Sequence, residues 1–121
     1  MMRFWFSLWL VFSILRPGPL LAGQPRITSP QSGEALQGVV TITGSTQVEN
    51  FKSAEVSFAY DQEGSPNWFP IQRSQEAVRE GPLAQWDTTT ITDGLYKLRL
   101  QVTLQDGSRV EIQVDGLRVR N

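Results

Sequence analysis

From residue 96 to residue 104 the apolar side chains fall on every second position: Tyr96, Leu98, Leu100, Val102 and Leu104. Lys97, Arg99, Gln101 and Thr103 fill the places between them. A period of two is the pattern of a β-strand with one face buried and one face wet. Just upstream, residues 86–95 read W-D-T-T-T-I-T-D-G-L, a strand end followed by a turn. The rest of the chain is read around this strand.

The same alternation recurs on both sides of it. Residues 39–44, V-V-T-I-T-G, form a β-branched run with Val40 and Ile42 on one face. Residues 54–60 alternate again, with Val56, Phe58 and Tyr60 inward and Glu55 and Ser57 outward, and Phe51 is expected to plug one end of the core. Residues 61–67 (D-Q-E-G-S-P-N) are turn-rich, and a short strand is expected from Trp68 to Ile71, its ladder disturbed by Pro70. Leu83 and Trp86 lie three apart, so either one of them faces out or a bulge intervenes. Asp106-Gly107 is a two-residue hairpin signal leading into a last strand from Arg109. In that strand Val110, Ile112 and Val114 share a face, whereas Leu117 and Val119 have the opposite parity. A β-bulge at Asp115-Gly116 would return both to the inward face. Pro25 and Pro30 frame an extended lead-in or edge strand. About seven short strands separated by turn signals, with no helical period, read as an all-β immunoglobulin-like sandwich over residues 24–121.

Residues 1–23 have a different character. Arg3 opens a short positive start, residues 4–15 are apolar apart from two serines, and Arg16-Pro17-Gly18-Pro19 breaks the run. Ala22-Gly23 offers small residues for cleavage, so the expected reading is an export signal and a secreted or cell-surface location. The alternative is an uncleaved anchor, and contact with a membrane is expected only in that case. Twelve residues are short for a membrane span, which takes about 20.

Without Arg3 and Arg16 the remaining 98 residues hold 9 basic and 12 acidic side chains, a balance of −3. That surface offers no electrostatic footprint for nucleic acid. Cysteine is absent, so disulfides and thiolate metal sites are excluded and the core alone must hold the fold. Histidine is absent too, which removes the usual general base and the Ser-His-Asp and Cys-His arrangements. A carboxylate pair would have to come from Asp61, Glu63, Asp87 or Asp93, none of which stands in a catalytic motif. Asp61, Glu63 and Ser65 fall short of a calcium loop and read as a solvated turn. No enzyme activity, cofactor or metal is expected.

Taken together, S-P-Q-S-G-E-A-L-Q-G-V-V-T-I-T-G, A-E-V-S-F-A-Y, W-D-T-T and D-G-L-Y-K-L-R-L-Q-V resemble bacterial immunoglobulin-like or fibronectin-III-like modules of exported and cell-surface proteins. The resemblance covers the chain beyond residue 23 and rests on fold motifs. Within it, Asp93, Gly94 and Tyr96 match a tyrosine corner, in which the Tyr96 hydroxyl would bond backbone a few residues upstream. The resemblance implies a structural, adhesive or protein-binding role, with a protein or cell-wall component as partner. A carbohydrate-binding role is the rival reading. It would use Trp68 and Phe69 as exposed aromatics, whereas the plainer reading makes Trp68 and Trp86 core residues and expects at least one of them there. Phe69, on the opposite face from Trp68, is the aromatic expected to be exposed. The wet residues Lys97, Arg99, Gln101 and Thr103, with Glu111 and Gln113 opposite, are a candidate partner-binding sheet face.

Overall fold

The computed structural model describes residues 24–121; the expected export signal, its cleavage point and the alternative anchor lie outside the described residues. Eight strands follow one another: β1 (Arg26–Ser29), β2 (Ala35–Leu36), β3 (Val39–Ser45), β4 (Phe51–Tyr60), β5 (Phe69–Ser74), β6 (Gly81–Asp87), β7 (Gly94–Leu104) and β8 (Arg109–Val119). They form two sheets, ordered β1-β3-β6 and β2-β8-β7-β4-β5, packed as a β-sandwich. Among the described residues there is no α-helix, only a 3-10 turn at Thr88–Thr90. Asp87 caps that turn: its Oδ1 accepts the Thr89 N–H at 3.1 Å.

β7 stands between β4 and β8. Tyr96, Leu98, Leu100 and Val102 are fully buried, as the alternation of the strand requires. The opposing sheet supplies Ile42, Ala84 and Trp86, and β4 and β8 complete the core with Val56, Leu117 and Val119. Removing such side chains from water contributes about 1.5–3 kcal/mol each. Both sheets and these core residues lie within the described residues 24–121.

Bulges reconcile sequence parity with burial. Between Leu98↔Val114 and Tyr96↔Leu117 the β8 strand carries one extra residue, at Asp115-Gly116. Gly116 has φ 68°, in the left-handed region that glycine enters without steric cost. Asp61 Oδ2 accepts the Gly116 N–H at 2.8 Å and fixes the bulge from the β4–β5 loop. Thus Leu117 and Val119 turn inward. On β6, Ile42 pairs with Ala84 and Thr43 with Pro82, leaving Leu83 as the extra residue. Leu83, Ala84 and Trp86 are therefore all buried, which accounts for the spacing of three.

Several sequence expectations need correction. Among the described residues there are eight strands, where about seven are expected, because Ala35-Leu36 pairs in parallel with Arg118-Val119; two residues are too few for a periodicity. β4 begins at Phe51, ahead of the expected start at Ala54, and β5 runs from Phe69, one residue after Trp68. The β7–β8 hairpin has a different turn. The Gly107 N–H donates to the Leu104 carbonyl at 2.9 Å, so Gln105 and Asp106 are its central residues and Gly107, at φ 90°, follows them. This is a three-residue loop with a glycine bulge, in place of a two-residue turn on Asp106-Gly107. Asp106 Oδ1 accepts from the Ser108 N–H and hydroxyl, which hold its carboxyl below the usual carboxylate range.

Gly44 is fixed by close packing. A Cβ at this position would lie 2.0 Å from the Arg26 carbonyl oxygen, so β1 can approach β3 only because no side chain is there.

Candidate functional site

The outer face of the five-stranded sheet gathers most of the chemistry-bearing side chains. Cross-strand register sets Glu55 beside Gln101, Ser57 beside Arg99 and Ala59 beside Lys97 on the β4–β7 pair. It sets Arg99 beside Gln113, Gln101 beside Glu111 and Thr103 beside Arg109 on the β7–β8 pair. These residues alternate with the buried ones of their strands, so they share one face.

Trp68 lies over this face. The Arg99 guanidinium carbon is 4.5 Å from the centroid of its ring and the Lys97 Nζ 5.7 Å. Cations at this distance are attracted to the π-face by about 0.5–2 kcal/mol, depending on desolvation. On the same face Ala59 and Ser57 have outward parity yet are buried to 0% and 1% exposure. Ser57 Oγ and Arg99 Nε are buried without a hydrogen-bond partner.

Phe69 points the other way. It pairs with Phe58, and their ring centroids are 5.3 Å apart on the inner side, where Phe69 remains 44% exposed at the sheet edge. The sheet thus separates Trp68 from Phe69, and the two do not form one aromatic platform. Trp86 is in the core at 3% exposure, with its ring 5.3 Å from Phe58 and 6.1 Å from Tyr96. Its Nε1 is buried without a partner.

Further along β7 the outer face dips into a hollow of about 220 Å³, lined by Ser53, Glu55, Arg73, Gln101, Thr103 and Arg109 among others. Arg73 and Glu55 bridge its rim at 3.1 Å. An exposed pair of this kind adds less than about 1 kcal/mol to stability. The lining suits polar or charged groups that hydrogen-bond, and it contains no apolar anchor. Sequence reasoning missed this hollow, because the strand expected to end at Ile71 continues to Ser74 and carries Arg73 onto the sheet.

The remaining predicted residues hold the frame. The Tyr96 hydroxyl donates to the Thr92 carbonyl at 2.7 Å and lies 3.2 Å from the Thr92 hydroxyl. Burial pushes its phenol above the ordinary value, opposed in part by the Thr92 bond. Gly94 opens β7 beside the Tyr96 ring, and Asp93 Oδ1 accepts the Asn121 N–H at 3.0 Å. Asp115 and Gly116 form the β8 bulge, with the Ser32 hydroxyl 2.6 Å from Asp115 Oδ1. Of the acids weighed for catalysis, Asp61, Asp87 and Asp93 each bind backbone N–H groups at different places in the fold. No group of three or more acidic side chains able to hold a metal ion occurs among the described residues. No family model, no curated protein and no solved structure matches this chain.

Proposed function

We propose that residues 24–121 are a non-catalytic, exported immunoglobulin-like module that binds a protein or cell-wall component through the outer face of its five-stranded sheet. Two features support the immunoglobulin-like part of this reading. One is the division of the strands into β1-β3-β6 and β2-β8-β7-β4-β5, with consecutive strands crossing between sheets at β1–β2, β2–β3, β3–β4, β5–β6 and β6–β7. The other is the Tyr96–Thr92 bond at the entry to β7. The observation that carries the binding role is Trp68, an aromatic held on the outside of a sheet by Arg99 and Lys97 and exposed in part. Aromatic and arginine side chains are the groups that most often anchor interfaces.

Carbohydrate binding is the second reading. It is favoured by the partly exposed indole and the polar hollow on the same face, and it rests on Trp68 alone, since Phe69 lies on the other side. Residues 24–121 contain two tryptophans, Trp68 and Trp86, and Trp86 is buried. A fluorescence titration with purified peptidoglycan and a panel of neutral polysaccharides therefore reports on Trp68. A saturable change with peptidoglycan, lost in Trp68→Ala and weakened in Arg109→Ala, is the expected result. The same change with one neutral polysaccharide alone would favour the second reading. Peptidoglycan and glycans that leave both emission and acrylamide quenching unchanged would overturn wall and sugar binding together.

A further inference from the structure

Each sheet ends in two edge strands, β1 and β6 for one, β2 and β5 for the other. An edge offers unpaired N–H and C=O groups to any passing strand, and proteins blunt it with proline, bulges or charge. Three of these edges carry both a proline and a bulge. β1 runs between Pro25 and Pro30 and bulges at Thr28, β5 contains Pro70 and bulges at Ile71, and β6 contains Pro82 and bulges at Leu83.

The fourth is different. β2 pairs only with Arg118 and Val119, and the Gly33 N–H extends this cover as far as the Asp115 carbonyl, at 3.2 Å. Residues 109–114 of β8 therefore form an edge with no proline, no bulge and no backbone partner beyond β7 among the described residues. The phase of this edge is set at its two ends. The Leu104 N–H donates to the Ser108 carbonyl at 2.8 Å, so the even-numbered residues direct their backbone groups to β7. Arg109, Glu111 and Gln113 direct theirs outward, in series with the Asp115 carbonyl that Gly33 reaches. On the inner face Val110, Ile112 and Val114 stay partly exposed beside it.

We infer that this edge pairs antiparallel with the same edge of a second copy of the chain, about a two-fold axis at Val110. Charge selects the partner and the register. Arg109 then stands opposite the partner's Glu111, and Glu111 opposite the partner's Arg109, two opposite-charge cross-strand pairs. Glu111 also accepts from the Gln113 amide at 2.7 Å, which leaves its other oxygen for the arginine. One step along, the two Glu111 side chains would face each other; two steps along, Arg109 would collide with the edge that Gly33 occupies. One arginine and one glutamate on the edge complement each other when the strand meets its own reversed copy. The pairing joins two five-stranded sheets into one, so that two outer faces become continuous. With only about four backbone hydrogen bonds across the axis, the dimer is weak and concentration-dependent.

The test is sedimentation velocity on residues 24–121 at concentrations up to about 1 mM. The wild-type chain should dimerise reversibly. Arg109→Glu and Glu111→Arg should each weaken association by about tenfold or more, because each makes both cross-strand pairs like-charged. The doubly swapped chain, R109E/E111R, should regain the wild-type constant to within about threefold. Both positions are exposed, so thermal melts of all four chains should coincide. A wild-type chain that stays monomeric throughout, single swaps that leave association unchanged, or a double swap that fails to restore it would each overturn the pairing. None of these outcomes depends on what the outer face binds.

Discussion

Removing one oxygen atom from the core tests the frame that carries the outer face of the five-stranded sheet. Tyr96→Phe deletes the hydroxyl that donates to the Thr92 carbonyl at 2.7 Å and leaves the ring in place. Tyr96 is fully buried, and its ring lies among Phe58, Tyr60 and Trp86 at centroid distances of 5.0–6.1 Å. Packing is therefore conserved, and the loss is that of one hydrogen bond with its acceptor left unpaired, about 1–3 kcal/mol. For a domain of this size each kcal/mol lowers the midpoint by about 4–8 °C, so urea and thermal melts should both register it. The effect should also depend on pH. Burial holds the folded phenol above its unfolded value, so its contribution is complete below about pH 10 and is lost as pH rises through the folded pKa. The wild-type chain should accordingly lose stability on the alkaline side faster than Tyr96→Phe, and the gap between them should narrow. A variant within about 0.5 kcal/mol of wild type at pH 7, or a gap that widens with alkali, would refute the reasoning.

Three further outcomes are expected. Gly44→Ala places a Cβ 2.0 Å from the Arg26 carbonyl, a backbone atom that cannot rotate away; it should cost about 3 kcal/mol in urea unfolding and detach β1 first, seen as faster amide exchange at Ile27. Gly116→Ala forces a side chain into φ 68° with its Cβ 3.4 Å from the Gly33 nitrogen, and should cost about 1–2 kcal/mol, more than the same change at exposed Gly64. A double-mutant cycle of Trp68→Ala and Arg99→Ala should return a coupling of about 0.5–2 kcal/mol that weakens with salt, whereas additive losses would mean that the guanidinium does not interact with the indole.

Much of the scaffold was legible because strand alternation is a local property. Tyr96, Leu98, Leu100 and Val102 announced their common face, and a sequence parity change at Asp115-Gly116 located a bulge before any partner strand was known. The glycine at that point made the reading firmer, since φ 68° suits glycine. Parity says which residues share a face; it does not say what covers the face. Ser57 reads as outward, and register sets it beside Arg99 on the outer face, yet it is buried to 1% exposure.

The candidate site was half legible for the same reason. Lys97, Arg99, Gln101 and Thr103 were visible as one wet row on one strand. Arg73 and Arg109 join them only through register with β4 and β7, across separations that no local pattern spans. The sequence alone determined the strand-rich class, the absence of cysteine and histidine chemistry, and the buried face of β7, because each follows from composition or from a period of two. Tertiary structure decided the rest: the parallel contact of β2, the separation of Trp68 from Phe69 by the sheet between them, and the open edge of β8. Those depend on which strand lies beside which, and a strand carries no record of its neighbours until the sheets have formed.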